Sequence, residues 1–190
     1  MNDVLVKMRS FNIHSLKRIL VLIFILLGVL NDNQSFAQSR ESLIKAGYIE
    51  KFTHFVQWPV NVGKNDSTEI FQIAIIGQNT FGEVLDELFS KVRINGNQVI
   101  IKHITSIDEI KNSMILFISE SEEKNLDKIL EYTTDKPLLT ISDSEGYGEK
   151  GVLINMFTEG NYIRYEVNRT TLDKSGLKIN SLLLSYAVII

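Results

Sequence analysis

The chain has no cysteine among its 190 residues. That excludes disulfides, thiolate metal sites, a cysteine nucleophile and a lipid-modified cysteine. Histidine is nearly as scarce. Only His54 and His103 lie beyond the N-terminal segment, and neither sits at metal-ligand spacing from a second ligand, so no metal centre is expected. No G-x-S-x-G elbow occurs, and a serine, histidine and aspartate drawn from scattered positions would not make a triad. No enzymatic activity and no cofactor are therefore expected. Long apolar runs are missing too. The longest, Ile19 to Leu30, is well short of the roughly 20 residues needed to cross a hydrocarbon core. Beyond residue 37 there are 16 Lys and Arg against 21 Asp and Glu. This acidic balance, without a basic cluster, argues against nucleic acid and anionic lipid as partners.

The N-terminus has the layout of a secretory signal. Lys7, Arg9, Lys17 and Arg18 precede the apolar run, and Ser35-Phe36-Ala37 offers small residues for cleavage after Ala37. Residues 1–37 are read as a cleaved signal peptide, with Met8 as an alternative start, and 38–190 as the mature domain, which the cysteine-free composition requires to be held by its core alone.

Along that domain, Leu43, Ile44, Ala46, Tyr48, Ile49, Phe52, Phe55 and Val56 recur at spacings of three and four. They predict an amphipathic helix from Ser39 to Trp58, stopped by Pro59. Ile70 to Ile76 reads as a strand buried on both faces. Thr80 and Glu83 suggest a capping box for a helix over Phe81 to Phe89, and Asn95-Gly96 a hairpin leading into a strand at Val99 to Ile104. A short helix capped by Ser106, a buried strand at Met114 to Ile118, a helix over Glu122 to Tyr132 and a strand over Pro137 to Ile141 follow. After a glycine-bearing loop, Asp143 to Gly151, a hairpin pairs Val152 to Phe157 with Tyr162 to Val167. Thr170 or Thr171 opens a helix ended by Gly176, and Asn180 or Ser181 opens a terminal helix reaching Ile190. The fold class expected is α/β: a single domain with a mixed sheet of about five to six strands and helices on its faces.

Two glycine patterns invite a nucleotide reading and do not support it. Gly146 to Gly151 matches G-x-G-x-x-G, but those glycines lead into a strand. Gly77 to Gly82 has the spacing of a phosphate loop, yet Glu83 and Val84 stand where Lys and Ser or Thr are required. The aromatic stripe Phe52, Phe55, Trp58 has its first two members suited to packing on the sheet. Trp58, at the helix end, suits an interface anchor.

Several segments taken together resemble the YfiR-like family of periplasmic regulators. KAGYIEKFTHFVQWP, from Lys45 to Pro59, resembles its opening helix, and Phe71 to Gly77 with Phe81-Gly82 its first strand and turn. Met114 to Ser119 resembles its central strand. Leu138 to Asp143, with Gly146-Tyr147 and Gly151, is similar to its "LTVSD…GF…GG" segment. Ile163 to Asn168, Gly176-Leu177 and Ser181 to Ala187 are similar to its tail. The resemblance implies a periplasmic protein that binds the sensor domain of an inner-membrane diguanylate cyclase, and so modulates cyclic di-GMP and biofilm formation. An outer-membrane lipoprotein would relieve that restraint. Ser113 stands where a cysteine often precedes the central strand, so redox control has no thiol to act through here.

The residues expected to contact a protein partner are Phe55, Trp58, Pro59, Arg164, Glu166 and Asn168, the last three on one face of a strand. The alternative is a small-ligand module feeding a histidine kinase or transporter, with Gly77, Phe81, Gly82, Asp143 and Tyr147 at its pocket. The partner classes this leaves are a membrane sensor, an outer-membrane lipoprotein and a second copy of the chain.

Overall fold

The computed structural model describes residues 40–59 and 70–190. The signal segment and the polar loop around Gly63 to Ser67 lie outside the described residues. The first helix, α1 (residues 40–55), buries Ala46, Ile49 and Phe52 completely, a spacing of three that puts them on one face. It ends three residues earlier than the periodicity predicts. Val56–Gln57 is instead a short strand, β1, paired antiparallel with β9 (Lys178–Ile179). Asn180 N–H also donates to Phe55 O at 2.9 Å, so distant backbone claims the groups that a last helical turn would have used.

The remaining elements are β2 (Ile70–Ile76), α2 (Val84–Ser90), β3 (Arg93–Ile94), β4 (Asn97–Ile104), β5 (Ser113–Ile118), α3 (Leu126–Thr133), β6 (Leu139–Ser142), α4 (Tyr147–Lys150), β7 (Ile154–Glu159), β8 (Tyr162–Val167), α5 (Arg169–Ser175), α6 (Ser181–Ser185) and β10 (Val188–Ile189). The main sheet runs β10-β8-β7-β6-β5-β2-β4-β3. It has eight strands rather than five to six, because the two-residue strands β3 and β10 lengthen both edges. From β4 to β7 every neighbour is parallel; the β7–β8 and β3–β4 pairs are antiparallel.

Strand residues alternate between two cores. Phe71, Ile73 and Ile75 of β2 and Ile115 and Phe117 of β5 pack with α1, α2, Leu172 and Leu183. Ala74, Ile76, Leu116 and Ile118 pack on the other face with Leu126, Ile129 and Tyr147. Helices thus cover both faces, as a mostly parallel sheet requires.

Local chemistry corrected several boundaries. Thr80 does not cap α2; the cap position is Glu83, without a side-chain bond. Asn79 organises the turn instead, accepting from Phe81 N–H and donating to Gly82 O. Asn168, not a threonine, caps α5 by accepting from Thr171 N–H at 2.8 Å. The terminal helix stops at Ser185. The β-branched Val188 and Ile189 join the open edge of β8 as a parallel strand, and Ile190 N–H donates to Val167 O.

Two kinds of interaction hold α1 to the sheet. Lys45 Nζ meets Asp143 Oδ2 and Glu41 Oε1, both at 2.6 Å, with Asp143 just past the end of β6. Tyr48, Phe52 and Tyr165 form an aromatic cluster with centroids 5.1–5.9 Å apart, Tyr165 edge-on to the other two rings. At about 1.5–3 kcal/mol for each large apolar side chain buried, packing supplies most of the attachment; the ion pair sets where along the sheet α1 sits. Burial works against the Lys45 charge, but the hydrogen bonds to Asp143 and Glu41 outweigh it and raise its pKa above 10.5. Tyr165 is pushed up to about 12, first by burial and then by its neighbours Tyr48 and Tyr186.

Both shifts act in one pH window. An unfolded tyrosine ionises near 10 while Tyr165 keeps its proton to about 12, so its contribution to stability is whole below pH 10 and vanishes as pH climbs to 12. Lys45 contributes fully below 10.5 and loses its share as pH rises through the folded value. The urea midpoint should therefore fall between about pH 9 and about pH 11, and fall less in Tyr165→Phe. A flat profile would contradict this assignment. A second outcome concerns Gly77. Its φ is +90°, and an added Cβ would lie 2.4 Å from Ser121 Oγ and 2.9 Å from Glu122 Cγ. Gly77→Ala should destabilise by about 1–3 kcal/mol, read as a lower urea midpoint at unchanged slope.

Candidate functional site

The β7–β8 hairpin leans its second strand against α1. Tyr48 Oη donates to Ile163 O at 2.9 Å and Tyr165 Oη to Leu183 O at 2.7 Å. These two hydroxyls tie α1, β8 and α6 together at a fixed separation, and between them lies an open groove of about 720 Å³. Phe55 and Ile163 lie in its walls, while Tyr162, Leu182 and Tyr186 stand at the surface with 76, 52 and 70 % of their area exposed. Arg164 and Glu159, an ion pair across the hairpin, add charge on the β8 side. Exposed tyrosines beside an arginine are the residue types enriched in protein-binding surfaces.

Of the residues expected to contact a partner, the groove brings together Phe55 and Arg164. Trp58 is half-buried elsewhere. Its Nε1–H donates to Met114 O at 3.2 Å, and its ring stands edge-on to Phe71 at 5.3 Å. Pro59 beside it is exposed.

Glu166 and Asn168 hold the Asp143 to Gly151 segment. Ser142, Asn155 and Glu166 are register partners across β6, β7 and β8. Asn155 Nδ2 donates to Glu166 Oε1 and to Ser144 O, both at 3.0 Å, and Asn168 Nδ2 donates to Gly148 O at 2.9 Å. Gly148 lies so close that a Cβ there would come 2.2 Å from Glu166 Oε1. The glycine-bearing segment is thus a packed cover, and its α4 turn was not anticipated as a helix. Asn155, buried with its Oδ1 unpartnered, went unnoticed in the sequence because an isolated asparagine in an apolar run carries no pattern.

The alternative pocket residues are dispersed. Strand β2 connects to β4 on one side, and the chain then returns to place β5 on the other. The topological switch point, where open α/β sheets bind ligands, therefore falls beyond Ile76 and Ile118. There Ser119 N–H donates to Ile76 O, and Ser121 Oγ accepts from Gln78 N–H, packed on Gly77. Phe81 is buried against Phe117 at 4.8 Å. Asp143 is engaged by Lys45. Tyr147 is buried and donates to Glu120 O at 3.2 Å; burial, with Glu123, Glu120 and Glu122 nearby, raises its pKa above 10.0. His54 and His103 are surface residues, each beside one carboxylate.

Among the described residues, no helix is long and apolar enough to cross a membrane. Two solved structures are similar in part. One is a conserved domain protein from Vibrio cholerae O1 biovar eltor str. N16961, with 10 % identity, 62 % of this chain and 54 % of that chain covered, and a TM-score of 0.46. The other is the ABC domain in complex with L-Trp from Streptococcus pneumonia, with 10 % identity, 63 % and 55 % covered, and a TM-score of 0.48. The chain spans about half the length of each. No curated protein matches it. The YfiR/HmsC-like family model matches residues 42–188, from the first turn of α1 into β10. The chain belongs to the YfiR/HmsC-like family, a family of periplasmic regulators.

Proposed function

We propose that this protein is exported by cleavage after Ala37 and restrains the sensor domain of an inner-membrane diguanylate cyclase, modulating cyclic di-GMP and biofilm formation. Family membership supports the regulatory role. The observation that carries the binding role is the groove, where Tyr162, Leu182 and Tyr186 remain solvated beside Phe55 and the Arg164–Glu159 pair. Restraint then works by differential affinity: a partner conformation that buries these side chains is populated at the expense of the active one. Tyrosine and arginine at the centre of such a contact carry most of its energy. Pro59 and the uncovered edge of Trp58 form a second contact, and Glu166 and Asn168 act indirectly by holding β8 in place. An outer-membrane lipoprotein competing for the same surface would release the sensor. The small-ligand reading finds less support, because the switch-point crevice is filled by the Ser119 to Glu122 turn.

The purified protein should capture the periplasmic domain of a membrane diguanylate cyclase. Leu182→Glu and Tyr186→Ala should each weaken that capture by about tenfold or more, a loss of about 1.4 kcal/mol, with Tm unchanged. Deleting the gene should raise cellular cyclic di-GMP. Undiminished capture by both variants, or cyclic di-GMP unmoved by the deletion, would sink the proposal.

A further inference from the structure

A second cavity, of about 390 Å³, lies among the C-terminal end of α3, the end of α4 and one side of α5. Its lining collects three lysines from three separate segments: Lys136 after α3, Lys150 at the end of α4 and Lys174 in α5. None of the three forms an ion pair among the described residues. Two are placed by aromatic rings instead, Lys136 Nζ lying 3.3 Å from the Tyr132 centroid and Lys150 Nζ 5.5 Å from that of Tyr147. In a chain of net charge −3, this is a local cationic lining that no run of sequence reveals.

Four hydroxyls of the same cavity are turned the other way. Thr133 and Thr134 both donate to Leu130 O, Thr171 to Gly151 O and Ser175 to Leu172 O. Having donated their hydrogens, the three threonine oxygens offer only lone pairs to anything bound, while buried Ser175 Oγ also accepts from Leu177 N–H at 3.1 Å and is already engaged. Asp135 and Glu149, also in the lining, are acceptors as well. The cavity therefore combines ammonium donors for an anion with several acceptors for hydroxyl groups, over an apolar floor of Leu130 and Leu138. Its volume lies in the small-molecule range.

The geometry points to a binding site for a phosphorylated sugar, with the lysines on the phosphate and the threonine and carboxylate oxygens on the sugar hydroxyls. A tetrahedral dianion suits several separate point charges, which is how lysine recognises phosphate. A simple anion would leave the acceptors facing it unfavourably. A neutral sugar would leave the ammonium groups unused.

The test is an amide NMR titration of the protein purified from the periplasm, with ribose 5-phosphate, ribose and inorganic phosphate as probes. Ribose 5-phosphate should shift the amides of Thr133 to Lys136, Glu149 to Gly151 and Thr170 to Ser175 saturably, with ribose and phosphate each weaker by about tenfold or more. Replacing Lys136, Lys150 and Lys174 together by Met should abolish those shifts at unchanged Tm, since all three are exposed. Thr134→Val should weaken ribose 5-phosphate by about threefold or more while leaving the phosphate response as it was. Absence of shifts at these amides up to about 20 mM, equal responses to phosphate and to the sugar phosphate, or a lysine-free variant that binds as before would overturn the proposal.

Discussion

Strands β2 and β5 are largely apolar on both faces, β6 is buried on both, and β5 buries all six of its residues. A ribbon of that kind is insoluble unless a layer of helices covers each side. With no cysteine available to staple loops, the domain meets this condition entirely through packing. The placement of every other element follows from it. Helix α1 and the α2 connection cover one face and α3 the other, while the antiparallel β7–β8 hairpin carries the sheet beyond the region where both faces are covered.

That extension separates holding from presenting. Where the sheet is sandwiched, polar groups are spent internally: Asp143 on Lys45, Asn168 on the α4 turn, Ser121 on the Gly77 turn. Toward the hairpin turn the cover gives out: β8 meets α1 through Tyr48 and Phe52, α6 through Leu183 and α4 through Glu166, and side chains such as Tyr162 and Tyr186 are left in water. The groove exists because the layer on that side is incomplete. Its width is set by hydroxyl-to-carbonyl bonds from Tyr48 and Tyr165, which are directional and do not slide.

Much of this was legible in the sequence, and for one reason. Periodicity reports which backbone faces a core, so the central strands, the hairpins and the body of α1 were readable from the spacing of Ile, Leu and Phe. Termini were not, because they are decided by competition between local preference and distant backbone. Val56 and Gln57 left α1 for β9, and Val188 and Ile189 left the last helix for β8. Caps misled for a related reason: Thr80 and Thr170 have the right chemistry, but Asn79 and Asn168 sit where the turn geometry lets a side chain reach. Of the candidate site, Phe55 and Arg164 could be picked out by residue type and strand face. Tyr162, Leu182 and Tyr186 could not, since their exposure depends on which layer fails to cover them.

Trp58 is the protein's single tryptophan, and its placement decides what that fluorophore sees. The indole is bonded to the backbone at the start of β5 and stands edge-on to a ring of β2. It is outside the walls of the groove. Its emission therefore follows the integrity of the seam between the chain just after β1 and the central strands, so that unfolding of the scaffold is read at one defined place.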